Sequence, residues 1–151
     1  MTSHPFHASC VVLPDEGGGV LILGPAQSGK SSLALQLMAQ GARLVSDDQT
    51  LVQSGAQGLV ASAPAGLHGL LEIAGYGIVR LPPEQLATST LLRLVVILVP
   101  LEEALERMPD ETQHPVMGVK LPRLWLRPHD PTAVAKIMAV LCYPLMDHSD
   151  G

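Results

Sequence analysis

Apolar positions in this chain fall into short runs broken by glycine and proline, a pattern of strands and turns with few long helices. "HASCVVLP", from His7, reads as a strand, "DEGGG" as a turn and "VLILG" as a second strand, so the chain begins its core with a hairpin. From Lys30 to Gln40 the period changes. Leu33, Leu37 and Met38 recur at helical spacing, and Gly41 reads as the C-cap. "ARLVS" predicts a short strand, and "QTLVQS" and "GLVASA" a strand pair around "GAQG". The stretch from Pro64 to Pro83 carries Gly66, Gly69, Gly75 and Gly77 among apolar residues and predicts loops with close backbone approaches. "LLRLVVIL", β-branched and free of turn formers, is the expected central strand, and "LEEALERM" a short helix stopped at Pro109. "DETQHPVMGVKLPRLWLRP" has too many prolines for a core element and predicts a mobile loop leading to an edge strand. "DPTAVAKIMAVLCYPL" predicts a C-terminal helix with Asp130 as N-cap and Pro131 at the first helical position, followed by a fraying "DHSDG".

The 151 residues suit one domain, with no repeat and no internal boundary, and 47% hydrophobic residues fill a single core. Aromatics are only 3%, so that core is aliphatic. A net charge of -5 offers no general attraction to nucleic acid or anionic membrane. The longest apolar run contains Arg93 and is too short to span a bilayer, and "MTSHPFHAS" lacks a secretion-signal pattern. Cys10 and Cys142 stand in no metal-like spacing and read as two buried thiols of a reducing, cytoplasmic setting.

Candidate chemistry concentrates in "GPAQSGKSS". Gly24-Pro25-Ala26-Gln27-Ser28-Gly29-Lys30-Ser31 fits G-x-x-x-x-G-K-[ST] in full, followed by Ser32. The glycines let backbone N–H groups curl towards phosphate oxygens, and the helix beginning at Lys30 adds its positive end. Lys30 is placed for the β- and γ-phosphates and the Ser31 hydroxyl for Mg²⁺. An apolar strand precedes the loop and a helix follows, the context the motif requires. ATP or another nucleoside triphosphate is the expected ligand.

"LVSDDQT" returns the chain to the same end of the sheet after the helix, the glycine and a short strand. Asp47 and Asp48 read there as a metal clamp, a proton-transfer pair or a polar turn. The later strand "LLRLVVILVP" ends without a carboxylate, which leaves these two as the site acids. Consecutive residues of an extended segment face opposite ways, so one of the two is expected to aim at the transferring phosphate and take a proton from an incoming hydroxyl.

"GVLILGPAQSGKSSLALQLMAQGARLVSDDQTLV" together with "LLEIAGYGIV" resembles the catalytic C-terminal domain of HPr kinase/phosphorylase, in the short single-domain form of some Proteobacteria. The resemblance covers nearly the whole chain. It implies an α/β fold, a P-loop kinase-like domain with a PEP carboxykinase-like nucleotide-binding core and a mixed sheet flanked by helices. It also implies one catalytic domain over residues 1–151 without the separate N-terminal domain of long members. By the same resemblance the chain is a cytoplasmic ATP- and Mg²⁺-dependent serine kinase for the phosphocarrier HPr, able to reverse the step by phosphorolysis, and a homo-oligomer, commonly a hexamer. Asp48 becomes the acid/base and Asp47 its support. Lys30 holds the phosphates, Ser31 and Glu72 hold Mg²⁺, His7 matches the histidine before the first strand, and Arg107 stabilises phosphate charge. Glu72 stands among apolar residues, where a buried acid needs a partner and Mg²⁺ would serve. His4, His68, His114, His129 and His148 read as structural or surface residues. Two departures stand out: Ala74 replaces the arginine of the signature L-E-[IV]-R-G, and Ala8 follows His7 where glycine is common. A kinase for a small molecule and a nucleotide-binding scaffold without turnover are the alternatives, and Ala74 favours the second.

Overall fold

The computed structural model describes residues 3–100 and 112–146. The expected helix over "LEEALERM", with Arg107, and the tail "DHSDG", with His148, lie outside the described residues.

Strands β1 (Ser3–Phe6), β2 (Ala8–Leu13) and β3 (Gly18–Leu23) lead to helix α1 (Lys30–Ala39), then β4 (Arg43–Ser46), β5 (Thr50–Gly55) and β6 (Gly58–Ser62). β7 (Leu70–Ile73), β8 (Gly77–Arg80), β9 (Ser89–Leu98), β10 (Gln113–Val116) and β11 (Val119–Leu126) follow, and α2 (Ala133–Cys142) is the last described element. β2 and β3 form the expected hairpin. β9 is the central strand: β3 runs parallel to it on one side, while β6 pairs antiparallel with its first residues and β11 parallel with its last on the other. The main sheet therefore runs β1-β5-β6-β9-β3-β2-β4 and is mixed. It also curls. β4 touches β6 although β9, β3 and β2 lie between them in the sheet, and β2 touches β5.

Curling divides the core in two. On one face α1 and α2 touch each other and bury Leu33, Leu37, Ala133 and Ile137 against Val11, Ile22, Leu44, Leu94 and Val96. On the inner face Cys10, Leu21 and Val95 meet Val52, Leu59 and Ala61 from the curled-over strands, so sheet packs on sheet with no helix. Residues of β2, β3 and β9 alternate between the two clusters, the period of two that a doubly covered sheet requires. Helix α1 ends as its glycine predicted. Gly41 adopts φ 104°, its N–H reaches Met38 O and the Ala42 N–H reaches Leu37 O, a Schellman pattern.

Several expectations are corrected. Pro64–Pro83 contains the small antiparallel hairpin β7–β8, separate from the main sheet. A side-chain Cβ at Gly66, Gly75 or Gly77 would meet nothing within 4 Å. Those glycines serve positive φ angles, not close approaches. The proline-rich stretch is the β10–β11 hairpin, and β11 joins the main sheet at Arg123, immediately after Pro122. Helix α2 starts later than expected. Thr132 is its N-cap, and the Asp130 carboxylate instead accepts from Thr132 N, Thr132 Oγ1 and Lys136 Nζ. Cys10 is buried, and burial pushes its thiol far above the usual range, but Cys142 is exposed. No described helix is long and apolar enough to cross a membrane.

Candidate active site

The phosphate loop leaves β3 at Leu23 and enters α1 at Lys30. Gly24 is required by space: a Cβ there would lie 2.5 Å from Ser28 Oγ and 3.2 Å from Leu98 Cβ on β9. Gly29 is required by conformation, with φ 99° at the helix N-cap. No side chain caps that end, so the first N–H groups of α1 remain directed at a ligand site. The Lys30 ammonium donates to Gly24 O and Pro25 O, both at 2.9 Å. It bends back over the loop it would share with a phosphate. Burial pulls its pKa below the ordinary lysine value, and the charges of Asp48 and Asp47 push the other way.

Asp47 follows the last residue of β4 and is half-buried. Its Oδ1 accepts Ser9 Oγ and Ser31 Oγ, both at 2.7 Å, and its Oδ2 accepts Ser31 Oγ at 2.9 Å and the Glu72 N–H at 3.1 Å. One carboxylate thus binds a buried serine of β2, the hydroxyl of the phosphate loop and the backbone of β7. Asp48 turns away from it. Its φ is 67°, left-handed for a non-glycine residue, and its carboxylate lies 3.3 Å from His7 Nε2 with 62% of the side chain exposed. The two aspartates do diverge, as expected, but through a turn and not through strand alternation.

A cavity of about 360 Å³ opens in front of these residues. Gln27, Gly29, Lys30, Ser31 and Ser32 form its loop side, and Asp48 and Glu72 face them. Ala74 also lines it, so the place of the signature arginine is taken by a methyl group. Glu72 is exposed at the cavity and not buried among apolar neighbours, so burial creates no need for a counter-ion there. Pro25 and Ala26 sit at the exposed outer bend, and Ser28 is buried behind the loop.

Two residues were not legible as site residues. His129, an exposed residue in the turn between β11 and α2 with a backbone φ of 62°, lines the same cavity. Ser9 is fully buried under the aspartates. His4 and His68 are exposed, and His114 is partly buried beside Arg123 Nη1 at 3.2 Å, all outside the cavity. Among the described residues no three His, Cys, Asp or Glu side chains cluster as a metal site by themselves. The oxygens available here are the Ser31 hydroxyl with the Asp47 carboxylate that it meets, and the Glu72 side chain, which lines the cavity together with Ser31. Such a set suits Mg²⁺, which binds through one or two carboxylates and shares its other positions with phosphate and water.

A sheet strand, phosphate loop and helix, with a carboxylate on the loop serine at the end of β4, two strands away, define a phosphate-loop nucleotide-binding domain. The chain belongs to a particular family of that class: the model described as HPr Serine kinase C-terminal domain matches residues 2–149. HPr kinase/phosphorylase of an Exiguobacterium species is 52% identical over 64 residues, which cover 42% of this chain and 21% of that protein. The enzyme of that name from Malacoplasma penetrans is 29% identical over 114 residues, 70% of this chain and 38% of the relative. The matched part thus spans well under half of these longer proteins. Among solved structures, the Hpr(Ser) kinase/phosphatase from Coxiella burnetii superposes with a TM-score of 0.74 at 26% identity, covering 92% of this chain and 88% of that one.

Proposed function

We propose that this chain is an ATP-dependent, cytoplasmic serine kinase for HPr or a similar phosphocarrier protein, working as a homo-oligomer. The observation that carries the proposal is the cavity itself. It joins a complete phosphate loop to a carboxylate, Asp48, that is exposed to an incoming protein and held by His7. Family membership and the likeness to the Coxiella protein support the choice of protein serine over a small molecule.

In this reading the loop amides and Lys30 grip the phosphates of ATP, with Lys30 exchanging its two loop carbonyls for phosphate oxygens. The Asp48 carboxylate takes the proton of the acceptor serine. The serine oxygen then bonds to the γ-phosphorus as the bond to the bridging oxygen of ADP breaks. His7, with Nε2 at 3.3 Å from the Asp48 carboxylate, orients it. Ser31, Asp47 and Glu72 are the residues that would hold Mg²⁺, which supplies charge compensation on the phosphoryl oxygens. Asp47 is thereby given to the metal side, beside Ser31, and not only to the support of Asp48. Arg107 is a further candidate for phosphate charge. Run backwards with inorganic phosphate as acceptor, the same site supports phosphorolysis, with Asp48 returning the proton to serine.

The missing arginine at Ala74 favours one second reading, a nucleotide-binding scaffold without turnover. Incubation with labelled ATP, Mg²⁺ and purified HPr separates the two. Labelled phosphoserine on HPr is the expected result. Tight nucleotide binding with no label on HPr would overturn the kinase reading in favour of the scaffold.

A further inference from the structure

Where β4 ends after Ser46, the backbone of Asp47 and Asp48 leaves the ladder with β2, whose last pairing in that direction is Cys10 with Ser46. A side chain takes over from the ladder at that point. Ser9, the residue before Cys10 on β2, is 0% exposed, and a hydroxyl in such a place must find partners. It finds two. Ser9 Oγ donates to Asp47 Oδ1 at 2.7 Å and accepts the Asp48 N–H at 3.2 Å. The same Asp47 oxygen accepts Ser31 Oγ at 2.7 Å. A single chain of hydrogen bonds therefore runs from the phosphate-loop serine through Asp47 and Ser9 to the backbone of Asp48. That backbone is in the left-handed region, a conformation that persists only when its surroundings hold it.

We infer that Ser9 is a positioning residue: its hydroxyl locks the metal-side carboxylate of Asp47 and the backbone of the proposed base Asp48 into one unit. It touches neither nucleotide nor phosphoryl group. Its effect passes through the two aspartates, and it is anchored to the sheet, so the unit keeps its geometry while the phosphate loop adjusts to ligand. The inference rests on the assignment of Asp47 to Mg²⁺ and Asp48 to proton transfer.

Ser9→Ala removes the hydroxyl with a minimal change of volume, and Ser9→Thr keeps it. Three quantities decide the matter: the thermal midpoint, the gain in ADP affinity on adding Mg²⁺ measured by calorimetry, and kcat and KM for phosphate transfer to HPr. For Ser9→Ala the expected result is a folded protein whose Mg²⁺-dependent gain and kcat each fall about tenfold or more, the scale of groups that orient a metal ligand, with KM for HPr unchanged. Ser9→Thr restores most of both. Unchanged Mg²⁺-dependent gain and kcat in Ser9→Ala would overturn the inference. So would a folded Ser9→Thr that behaves as Ser9→Ala does. If the unsubstituted protein binds Mg²⁺-ADP but transfers nothing to HPr, the kinase reading falls, and the Mg²⁺-dependent gain still decides the role of Ser9 by itself.

Discussion

Replacing Asp48 and Asp47 in turn by asparagine separates a residue that acts on the substrate from one that also holds the site together. The Asp48 side chain is 62% exposed and has His7, itself 53% exposed, at 3.3 Å as its ion-pair partner. An exposed pair of this kind is worth little, so Asp48→Asn changes stability by no more than about 0.5 kcal/mol. Its effect falls on chemistry. Loss of a general base costs about 10²–10⁴ in kcat, or about 3–5 kcal/mol in the barrier. Asp47→Asn behaves differently. The new amide can turn either way, and each way takes an acceptor from one donor: its nitrogen at the Oδ2 place faces the Glu72 N–H, and at the Oδ1 place it faces the Ser9 hydroxyl, which already accepts the Asp48 N–H. An unpaired donor costs about 1–3 kcal/mol, and the amide settles in the cheaper orientation, so the loss lies near the lower end, the Glu72 contact being exposed. For a domain of this size about 1 kcal/mol corresponds to a fall of about 2–4 °C in Tm. Scanning calorimetry, nucleotide titration and the labelled-phosphate assay, run on both variants, give the comparison. Asp48→Asn should bind nucleotide, melt as the parent does and fail to transfer; Asp47→Asn should melt lower and lose Mg²⁺-dependent affinity. Transfer at the parental rate by Asp48→Asn would refute the assignment of the base. An Asp47→Asn variant with unchanged Tm would refute the hydrogen-bond argument.

Gly24→Ala should abolish nucleotide binding and cost about 1–3 kcal/mol, because its methyl meets Ser28 Oγ at 2.5 Å and the backbone O of Leu98 at 3.3 Å, and only the first can move away. Nucleotide titration at the parental affinity would contradict the crowding. Ala74→Arg restores a cation to the cavity wall and should raise the rate of phosphate transfer about tenfold or more, with no rise meaning that the position does not face the phosphoryl group. Hydrogen bonds from Lys136 and Thr132 hold Asp130 down at about 2, against an ordinary 3.8. A carboxyl depressed in the folded state stabilises fully above its unfolded value and loses that contribution as pH falls from about 4 towards 2. Asp130→Ala should therefore lower stability by about 1 kcal/mol at neutral pH, as loss of a helix-start acceptor does, and show a smaller further loss than the parent between those pH values. Parallel acid titrations of the two proteins would show the argument to be mistaken.

Legibility in the sequence followed the range of the interaction. The phosphate loop, α1 and its glycine stop are set by neighbours along the chain, and "LLRLVVIL" announced β9 by composition. β7 and β8 look like loops in the sequence because each has only four residues, set among glycines, with β8 largely exposed. β10 and β11 were masked by prolines that do no harm where they stand. Among the described residues, Pro115 is on a strand that pairs with β11 alone, and Pro122 comes just before the residues that reach β9. Ser9 and His129 had no local signal at all. One is a small polar residue in an apolar strand, and the other one of several unpaired histidines. Each becomes a site residue only when β2 is laid beside β4, or when the turn after β11 is brought over the phosphate loop. Glu72 shows the converse: its apolar neighbours in sequence suggested burial, and a two-stranded hairpin standing off the main sheet leaves it at the surface.

The β2–β3 hairpin carries a practical consequence. Its open end holds Ser9 at the aspartates and leads from Leu23 into the phosphate loop, whereas its closed end, at the far end of both strands, is a tight turn, Gly17 N to Pro14 O. Five residue steps separate Ala8 from Leu13, about 17 Å of strand. A reporter dye, an affinity tag or a graft of foreign sequence therefore belongs between Pro14 and Gly17. Attached close to His7 instead, the same cargo would crowd the approach to Asp48.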